Sequence, residues 1–318
     1  MQTTLIYNPQ AGSGAHPGPE EILEALRQVG LDPVYNPTPT LSDLDKALSD
    51  AKDVVVVAGG DGSIRAVSTR LLGKEIKITP LPMGTANNIA RLLAVNGNVH
   101  EIIAGLANPV ERDMDIGCLQ SKEGSAYFLE AMGIGVFADG LKKYQPEIGK
   151  SIARSIQSTL ETLNGYQPKF FHINLDGVDL SGSYFMLEVM NAPTLGYRFT
   201  LAPDAKADDG LFDLVLIHAN QRDNYLKFIS GVLMGNLESF PGVSVQRGHH
   251  LEIAWRGFPL HLDGEVFEGV DWTEEEPEAG EIQASTSLDV AGPYLQVELL
   301  PQAIHFLLPQ GNRKQETE

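Results

Sequence analysis

A strand that runs into a glycine-rich turn and then into a helix is the feature that most constrains this chain. Residues 53–72 read DVVVVAGGDGSIRAVSTRLL, with four valines, three glycines around Asp61 and a run of helical spacing. The β-branched run indicates a strand. A strand that ends in GGDGS and opens a helix exposes consecutive backbone N–H groups at the positive end of the helix dipole. The stretch therefore predicts an anion-binding turn.

The first third of the chain alternates such strands with helical patterns. Short β runs occupy residues 3–9, 33–38, 53–59 and 76–82, and helical runs occupy residues 19–30, 42–48, 63–72 and 89–93. The first helical run places Ile22, Leu23, Leu26 and Val29 on one face before Gly30 stops it. Alternation of this kind predicts a parallel sheet covered by helices on both faces.

From about residue 126 the pattern changes to antiparallel strands. Phe171, Ile173 and Leu175 alternate with polar neighbours, and the following Asp176 and Gly177 form a two-residue hairpin turn. Residues 150–163 and 222–233 have the spacing of amphipathic helices. The segment 293–310 either returns to the first domain, which we favour, or completes the second.

These patterns define a fold class. We predict a three-layer α/β domain with a parallel sheet over residues 1–125, joined by the segment 293–310. An antiparallel β-sandwich domain is expected over residues 126–292.

The composition limits the partners. The 318 residues include 42 Asp and Glu against 23 Lys and Arg, a formal net charge of −19. That charge argues against nucleic acid and against broad attraction to anionic lipid, so any membrane contact must be peripheral and local.

No apolar stretch reaches the roughly 18 residues of a membrane span, and the first residues do not resemble a leader. With Cys118 as the single cysteine, we expect a cytoplasmic protein. The acidic run 271–281 is expected to be solvated.

Three loops of Gly and Asn follow strands of the predicted parallel sheet. They are residues 8–14 (NPQAGSG), 59–63 (GGDGS) and 82–88 (PMGTANN). The carboxyl ends of parallel strands meet at one edge of a sheet, where open α/β folds bind ligands. None of the loops has the spacing of a P-loop or of the dinucleotide motif G-x-G-x-x-G. We therefore predict a phosphate site of another type.

Asp61 within this site needs its own explanation. A carboxylate repels phosphates unless it holds Mg²⁺ or accepts a proton, so Asp61 indicates phosphoryl transfer. The alternative is that Asp61 caps a helix that begins at Ser63. With three loops converging, we favour the functional role.

These motifs resemble the diacylglycerol kinase catalytic domain family, which includes bacterial lipid kinases, diacylglycerol kinases and sphingosine kinases. GGDGS followed by PMGTANN is one part of the resemblance; LAPDAKADDGLFDLVLI at 201–217 and LHLDGE at 260–265 are the other. The resemblance covers approximately residues 4–300. It implies a first domain like that of NAD kinase and phosphofructokinase.

The resemblance implies ATP- and Mg²⁺-dependent phosphorylation of a lipid hydroxyl in a cleft between the two domains. Asp61 would act near the phosphates through Mg²⁺, and Glu265 would be the general base. A second, structural Mg²⁺ would bind Asp209 and the backbone carbonyls of Lys206 and Leu211. The nucleotide would be bound by Asn8, Pro9, Gly12, Thr38, Gly59, Gly60, Asp61, Gly62, Ser63, Ile64, Arg65, Ala66, Gly84, Thr85 and Asn87.

Several positions depart from the family pattern. Asn88 stands where the family usually has Asp, and Arg65 and Ala66 stand where it commonly has Asn and Glu. Two alternatives therefore stay open: a kinase of a soluble acceptor such as NAD on the same fold, and a non-catalytic nucleotide-binding regulatory protein. A homodimer is also open.

Overall fold

A computed structural model describes residues 1–12, 14, 16–121, 124–143, 166–195, 199–219, 242–254, 258–267 and 294–310. The helices are α1 (Pro19–Gln28), α2 (Leu41–Ser49), α3 (Asp61–Arg70), α4 (Asn88–Leu92), α5 (Val99–Gly105) and α6 (Val136–Lys143). The strands of the first half are β1 (Gln2–Tyr7), β2 (Asp32–Tyr35), β3 (Val54–Gly59), β4 (Lys77–Pro82), β5 (Val110–Ser121), β6 (Gly124–Phe128) and β7 (Ala131–Gly135).

The remaining strands come from the second half of the chain. They are β8 (Lys169–Phe171), β9 (Ile173–Leu175), β10 (Val178–Asp179), β11 (Gly182–Met190), β12 (Thr194–Leu195), β13 (Phe199–Thr200), β14 (Phe212–His218), β15 (Val243–Gly248), β16 (His250–Ala254), β17 (Leu260–Leu262), β18 (Glu265–Phe267) and β19 (Tyr294–Leu308).

The first half forms the predicted parallel sheet. Its strands lie in the order β2, β1, β3, β4, and each neighbouring pair is parallel. The four valines of β3 are fully buried, as expected for a strand covered on both faces. In α1, Ile22, Leu23 and Leu26 are buried against the core, which confirms the predicted helical face.

Helix α3 begins two residues earlier than predicted. It starts at Asp61, with Gly60 as its N-cap residue and no side-chain hydrogen bond at the cap. The interpretation that Asp61 caps a helix starting at Ser63 is therefore wrong. Asp61 is inside the first turn, and its side chain is directed to another element.

The second half is antiparallel, as predicted. One sheet has the order β15, β14, β11, β7, β17, β18, with β8 also paired to β11, and every pairing in it is antiparallel. The turn between β9 and β10 has positive φ at Asp176 and Gly177, which confirms the predicted hairpin. Apolar residues of both sheets, among them Leu187 and Val297, form one core between them, so this half is a sandwich.

The last strand joins the two halves. β19 pairs antiparallel with β16 and along most of its length with β5, and Phe306 pairs in parallel with Ile78 of β4. The strand Tyr294–Leu308 therefore pairs with strands of both halves. The resulting ten-stranded sheet takes strands from both predicted domains, and the boundaries at residues 125 and 292 stay a prediction.

Three sequence predictions fall on residues that the structure does not describe. The helices expected at 150–163 and 222–233 and the acidic run 271–281 lie outside the described residues. In the part of the chain that is described, no helix is both long and apolar enough to cross a membrane.

Candidate functional site

The carboxyl ends of β1, β3 and β4 carry three loops that meet at one cavity. We call residues 8–14 loop 1, residues 59–63 the GGDG loop and residues 82–88 the MGT loop. The cavity has a volume of about 820 Å³, which falls in the size range of ligand sites. Most of the residues predicted to bind nucleotide line it: Asn8, Pro9, Gly12, Thr38, Gly60, Asp61, Gly62, Ser63, Ala66, Gly84 and Thr85.

Direct contacts fix the three loops relative to one another. Asn8 Nδ2 donates to the Ser63 hydroxyl at 3.1 Å, which joins loop 1 to the GGDG loop. A Cβ atom on Gly84 would lie 2.7 Å from Gly60 Cα, so the GGDG and MGT loops touch where no side chain fits. Asn87 has a left-handed φ of 51°, and its side-chain amide both accepts from the Gly84 N–H and donates to the Gly84 carbonyl at 2.8 Å.

Asp61 lies where the GGDG and MGT loops meet. Its Oδ1 accepts a hydrogen bond from the Ile89 N–H at 3.0 Å, in the first turn of α4. Burial raises the pKa of Asp61, while the backbone N–H groups of residues 87–89 and the Arg91 guanidinium oppose that rise. The carboxylate is therefore held in a fixed position at the wall of the cavity.

Four of the predicted nucleotide residues do not line the cavity, namely Gly59, Ile64, Arg65 and Asn87. Gly59 and Asn87 shape the loops: a Cβ atom on Gly59 would lie 2.5 Å from the Ser63 hydroxyl oxygen. Ile64 is 1% exposed and packs in the core, so its side chain is not available to a ligand. Arg65 is directed to the other half of the molecule.

A hairpin of the second half lies beside these loops. β17 and β18 are joined by Asp263 and Gly264, both with positive φ, and we call residues 262–265 the LDGE hairpin. Asp263 is buried and accepts three backbone hydrogen bonds, from the N–H groups of Leu129, Glu130 and Ala131 at 2.8 to 3.0 Å. Burial raises the pKa of Asp263, and these three donors oppose the rise. The donors fix the turn against the β6–β7 connection.

A buried contact between a histidine and a glutamate supports the same hairpin. His261 Nε2 on β17 lies 2.9 Å from Glu188 Oε2 on β11, and both side chains are fully buried. Gly133 of β7 provides the space, because a Cβ atom there would collide with the Glu188 carboxylate. A pair with this little access to solvent restrains β17, the strand that leads into Asp263.

Arg65 connects the LDGE hairpin to helix α3. Its Nη1 donates to the Leu262 carbonyl at 3.2 Å, its Nη2 contacts the Glu265 carboxylate, and its Nε lies 4.0 Å from Asp263 Oδ2. The Glu265 side chain is 58% exposed and the Arg65 side chain 21% exposed. The predicted base Glu265 is thus open to solvent and held by a guanidinium from helix α3 of the first half.

Comparison with known proteins identifies both halves. The diacylglycerol kinase catalytic domain family matches residues 2–119, and the YegS C-terminal NAD kinase beta sandwich-like domain family matches residues 146–283. Residues 2–119 therefore form a domain of the diacylglycerol kinase catalytic domain family.

Individual relatives agree with this assignment. The chain is 25% identical over 274 residues to a diacylglycerol kinase of Bacillus subtilis (strain 168), which covers 82% of this chain and 88% of that protein. It is 26% identical over 275 residues to a diacylglycerol kinase of Staphylococcus carnosus (strain TM300), covering 82% and 87%.

Solved structures support the fold of this diacylglycerol kinase family member. A crystal structure of a diacylglycerol kinase from Bacillus anthracis str. Sterne matches with a TM-score of 0.66 and 18% identity over 96% of each chain. A second structure from the same organism, of a candidate diacylglycerol kinase, matches with a TM-score of 0.70 and 20% identity over 96% of each chain. The predicted fold class, a parallel α/β domain with an antiparallel β-sandwich domain, is confirmed.

The structure of this family member adds Glu130, which sequence reasoning missed. Glu130 lies between β6 and β7 and is 4% exposed. Its Oε2 accepts a hydrogen bond from Asn88 Nδ2 at 2.6 Å, and the Arg91 guanidinium contacts the other end of the same amide. The signal in the sequence is an acid inside the apolar run YFLEAMGIG, because buried acids are rare unless paired.

The second predicted metal position already carries a cation from the protein. Asp209 Oδ1 accepts from the Leu211 N–H at 3.1 Å, and Asp209 Oδ2 forms an ion pair with Arg247. The Arg247 Nε also lies 3.5 Å from Asp213. A metal ion at Asp209 would share this carboxylate with a guanidinium, and the set Lys206, Asp209 and Leu211 stays a prediction. Among the described residues, no cluster of three or more His, Cys, Asp or Glu side chains could hold a metal.

Proposed function

We propose that this protein is a lipid kinase that transfers the γ-phosphoryl group of ATP, with Mg²⁺, to a hydroxyl of a diacylglycerol-like lipid. The match of residues 2–119 to the diacylglycerol kinase catalytic domain family supports a kinase, and the relatives named diacylglycerol kinase support a lipid acceptor. The transfer would take place between the three-loop cavity and the LDGE hairpin.

One observation carries the proposal: a single helix serves both sides of this cleft. Asp61 and Arg65 are both on α3, and Asp61 lines the cavity. Four residues correspond to about 6 Å along a helix. Arg65 holds the LDGE hairpin. The acid expected beside the phosphates and the acid expected beside the acceptor are therefore linked through one turn of helix.

The lining of the cavity fits ATP and Mg²⁺. Gly60, Gly62 and Gly84 line the cavity without side chains, so backbone N–H groups there are available to phosphate oxygens. Asp61 provides a carboxylate, a ligand type that suits Mg²⁺. When bound, Mg²⁺ supplies charge neutralisation on the β- and γ-phosphate oxygens.

The chain's own residues would then carry the chemistry as follows. The GGDG and MGT loops bind the phosphates and orient them, and Asp61 holds negative charge at the wall of the cavity. Glu265 takes the proton from the acceptor hydroxyl. A hydroxyl is a weak nucleophile until a carboxylate within hydrogen-bond reach removes its proton. Arg65 orients Glu265 through their contact. Access to a membrane substrate would be peripheral and local.

The first experiment measures transfer of γ-³²P from ATP, with Mg²⁺, into a lipid extract in detergent micelles. We expect one labelled lipid with the wild type and none with Asp61→Asn. A parallel series with NAD and other soluble acceptors tests the alternative kinase. ATP binding without transfer to any acceptor would overturn the proposal in favour of a regulatory nucleotide-binding protein.

The second experiment separates the two carboxylates of the hairpin. Glu265 is exposed, whereas Asp263 has three N–H donors that fix it. We expect Glu265→Gln to abolish turnover with little change in ATP affinity or in melting temperature. Asp263→Asn should lower the melting temperature, because an amide cannot accept all three donors equally well. If Glu265→Gln keeps full turnover and Asp263→Asn loses turnover, Asp263 is the general base instead.

A further inference from the structure

We propose that Glu130 is a positioning residue that joins the MGT loop to the LDGE hairpin, and that its carboxylate stands in for the acid that is absent at Asn88. The part that concerns catalysis rests on the proposed kinase function. The part that concerns loop position does not, and it is testable without turnover.

The side chains of Asn88 and Glu130 form a matched pair. Asn88 is 3% exposed and Glu130 is 4% exposed, and the amide nitrogen of Asn88 donates to Glu130 at 2.6 Å. The amide oxygen of Asn88 accepts from the Arg91 guanidinium. The Asn88 amide therefore bridges an acid and a guanidinium, with its donor end on the acid. A carboxylate at residue 88 would instead place two acids against each other.

The backbone of Glu130 binds two further segments. Its N–H donates to Asp263 Oδ1 at 2.8 Å in the LDGE hairpin. Its carbonyl accepts from the N–H groups of Asn191 and Ala192 at 2.9 and 3.1 Å, in the segment that follows β11. One residue thus contacts the MGT loop with its side chain and two segments of the second half with its main chain.

A purely structural role does not explain why residue 130 is an acid. A glutamine could also accept the hydrogen bond from Asn88, without the cost of burying a charge. Burial, and after it the charges of Asp263 and Asp61, raise the pKa of Glu130 well above its ordinary value. An acid retained close to two others is unfavourable for folding. Acidic groups whose pKa is shifted by burial and by neighbouring acids are common at functional sites.

The test is a cycle of four proteins: wild type, Asn88→Asp, Glu130→Gln and the double variant, in which acid and amide exchange sides. Glu75→Gln, at an exposed position of the first half, is the control for removing an acid. Phosphoryl transfer, affinity for a fluorescent ATP analogue and melting temperature are measured for each protein.

We expect each single variant to lose about 10- to 100-fold in kcat, the scale of a residue that orients a functional group. Asn88→Asp should also melt at a lower temperature, because its new carboxylate faces Glu130. The double variant should recover most of both losses, since the bridge again joins one acid to one amide. Wild-type kcat in Glu130→Gln, or a double variant no better than Asn88→Asp, would overturn the proposal.

The positioning role and the kinase function fail in different ways. If the wild type labels no acceptor, the kinase proposal fails, and the cycle is decided by ATP-analogue affinity and melting temperature. Recovery of both by the double variant then supports the positioning role of Glu130. If the effects of Asn88→Asp and Glu130→Gln on affinity and melting temperature are additive in the double variant, the positioning role is overturned.

Discussion

The Asp61 carboxylate accepts a hydrogen bond from the Ile89 N–H at 3.0 Å, so the GGDG loop is attached to the helix that follows the MGT loop. This contact gives Asp61 two separable tasks. An Asn side chain keeps the acceptor oxygen and loses the charge, whereas an Ala side chain loses both.

We therefore expect Asp61→Asn to melt close to the wild type while transfer falls at least about 100-fold, the scale for a lost electrostatic group in a desolvated site. Asp61→Ala should in addition lose about 1–3 kcal/mol of unfolding free energy, because the Ile89 N–H is left without its acceptor. Urea unfolding measures the stability of the two variants, and the transfer assay measures their activity. Equal stability of the Asn and Ala variants would contradict the structural task.

The contact between Arg65 and the LDGE hairpin makes a second prediction. Arg65→Ala should lower kcat about tenfold, because Glu265 loses the group that orients it. Its effect on the free energy of unfolding should stay near 1 kcal/mol, since the Glu265 end of the pair is exposed. Arg65→Lys keeps the charge without the forked geometry of the guanidinium. Its kcat should therefore lie between that of the wild type and that of Arg65→Ala. Steady-state kinetics with the labelled lipid measure kcat for the wild type and both variants. An unchanged kcat in Arg65→Ala would show that Arg65 has no role in the mechanism.

The touching glycines of the GGDG and MGT loops provide a paired test of stability. Gly84→Ala should be destabilising, because its Cβ would lie 2.7 Å from Gly60 Cα and 2.8 Å from Asn87 Oδ1. Gly62→Ala is the matched control, since its Cβ would meet nothing within 4 Å. In the first turn of α3 it should be neutral or stabilising by up to about 1 kcal/mol. Chemical denaturation compares them, and equal midpoints would show that the two loops do not touch.

The Arg247 guanidinium at Asp209 allows a test of the second metal position. If Arg247 competes with Mg²⁺ for this carboxylate, Arg247→Ala should show a larger rise in melting temperature on addition of Mg²⁺ than the wild type. Asp209→Asn should show less response to Mg²⁺ than either. Identical Mg²⁺ responses in all three proteins would argue that no metal binds at this turn.

Asp176 makes a prediction about pH. Burial opposes ionisation of Asp176, but the N–H groups of His249 and His250 and the charge of His249 outweigh it, so its pKa is lowered. A lowered folded pKa means that the stabilisation is present above the unfolded value of about 3.9 and is lost as pH falls through the folded value. Asp176→Asn should therefore be less stable than the wild type at pH 6, and the difference should shrink below about pH 4. A difference that is constant with pH would contradict the ionised role.

Sequence patterns were most informative where one local rule determines the structure. The valines of β3, the apolar face of α1 and the turn at Asp176 and Gly177 each follow from periodicity or backbone conformation alone. The convergence of loop 1, the GGDG loop and the MGT loop followed from the geometry of parallel strands. These features needed no knowledge of distant contacts.

The features that were missed depend on contacts between distant residues. Arg65 contacts residues about 200 positions away, so its direction cannot be read from the sequence around it. Glu130 reaches Asn88 across 42 positions, and the helical start at Asp61 depends on where its side chain finds a donor. The family pattern showed that residue 88 had lost an acid, but only the fold shows the acid beside it.

The shared strand β19 joins the two halves of the molecule. Because its fifteen residues extend from β16 to β4, the two halves are connected by strand pairing and not only by a linker. Its ladder with β5 is interrupted between Leu300 and Ile304, where Gln302 has a φ of 51°. Asp115 of β5 accepts the Gln302 N–H at 2.8 Å. A fragment that ends at residue 125 would lack β19 and would leave β4 as an edge strand prone to association.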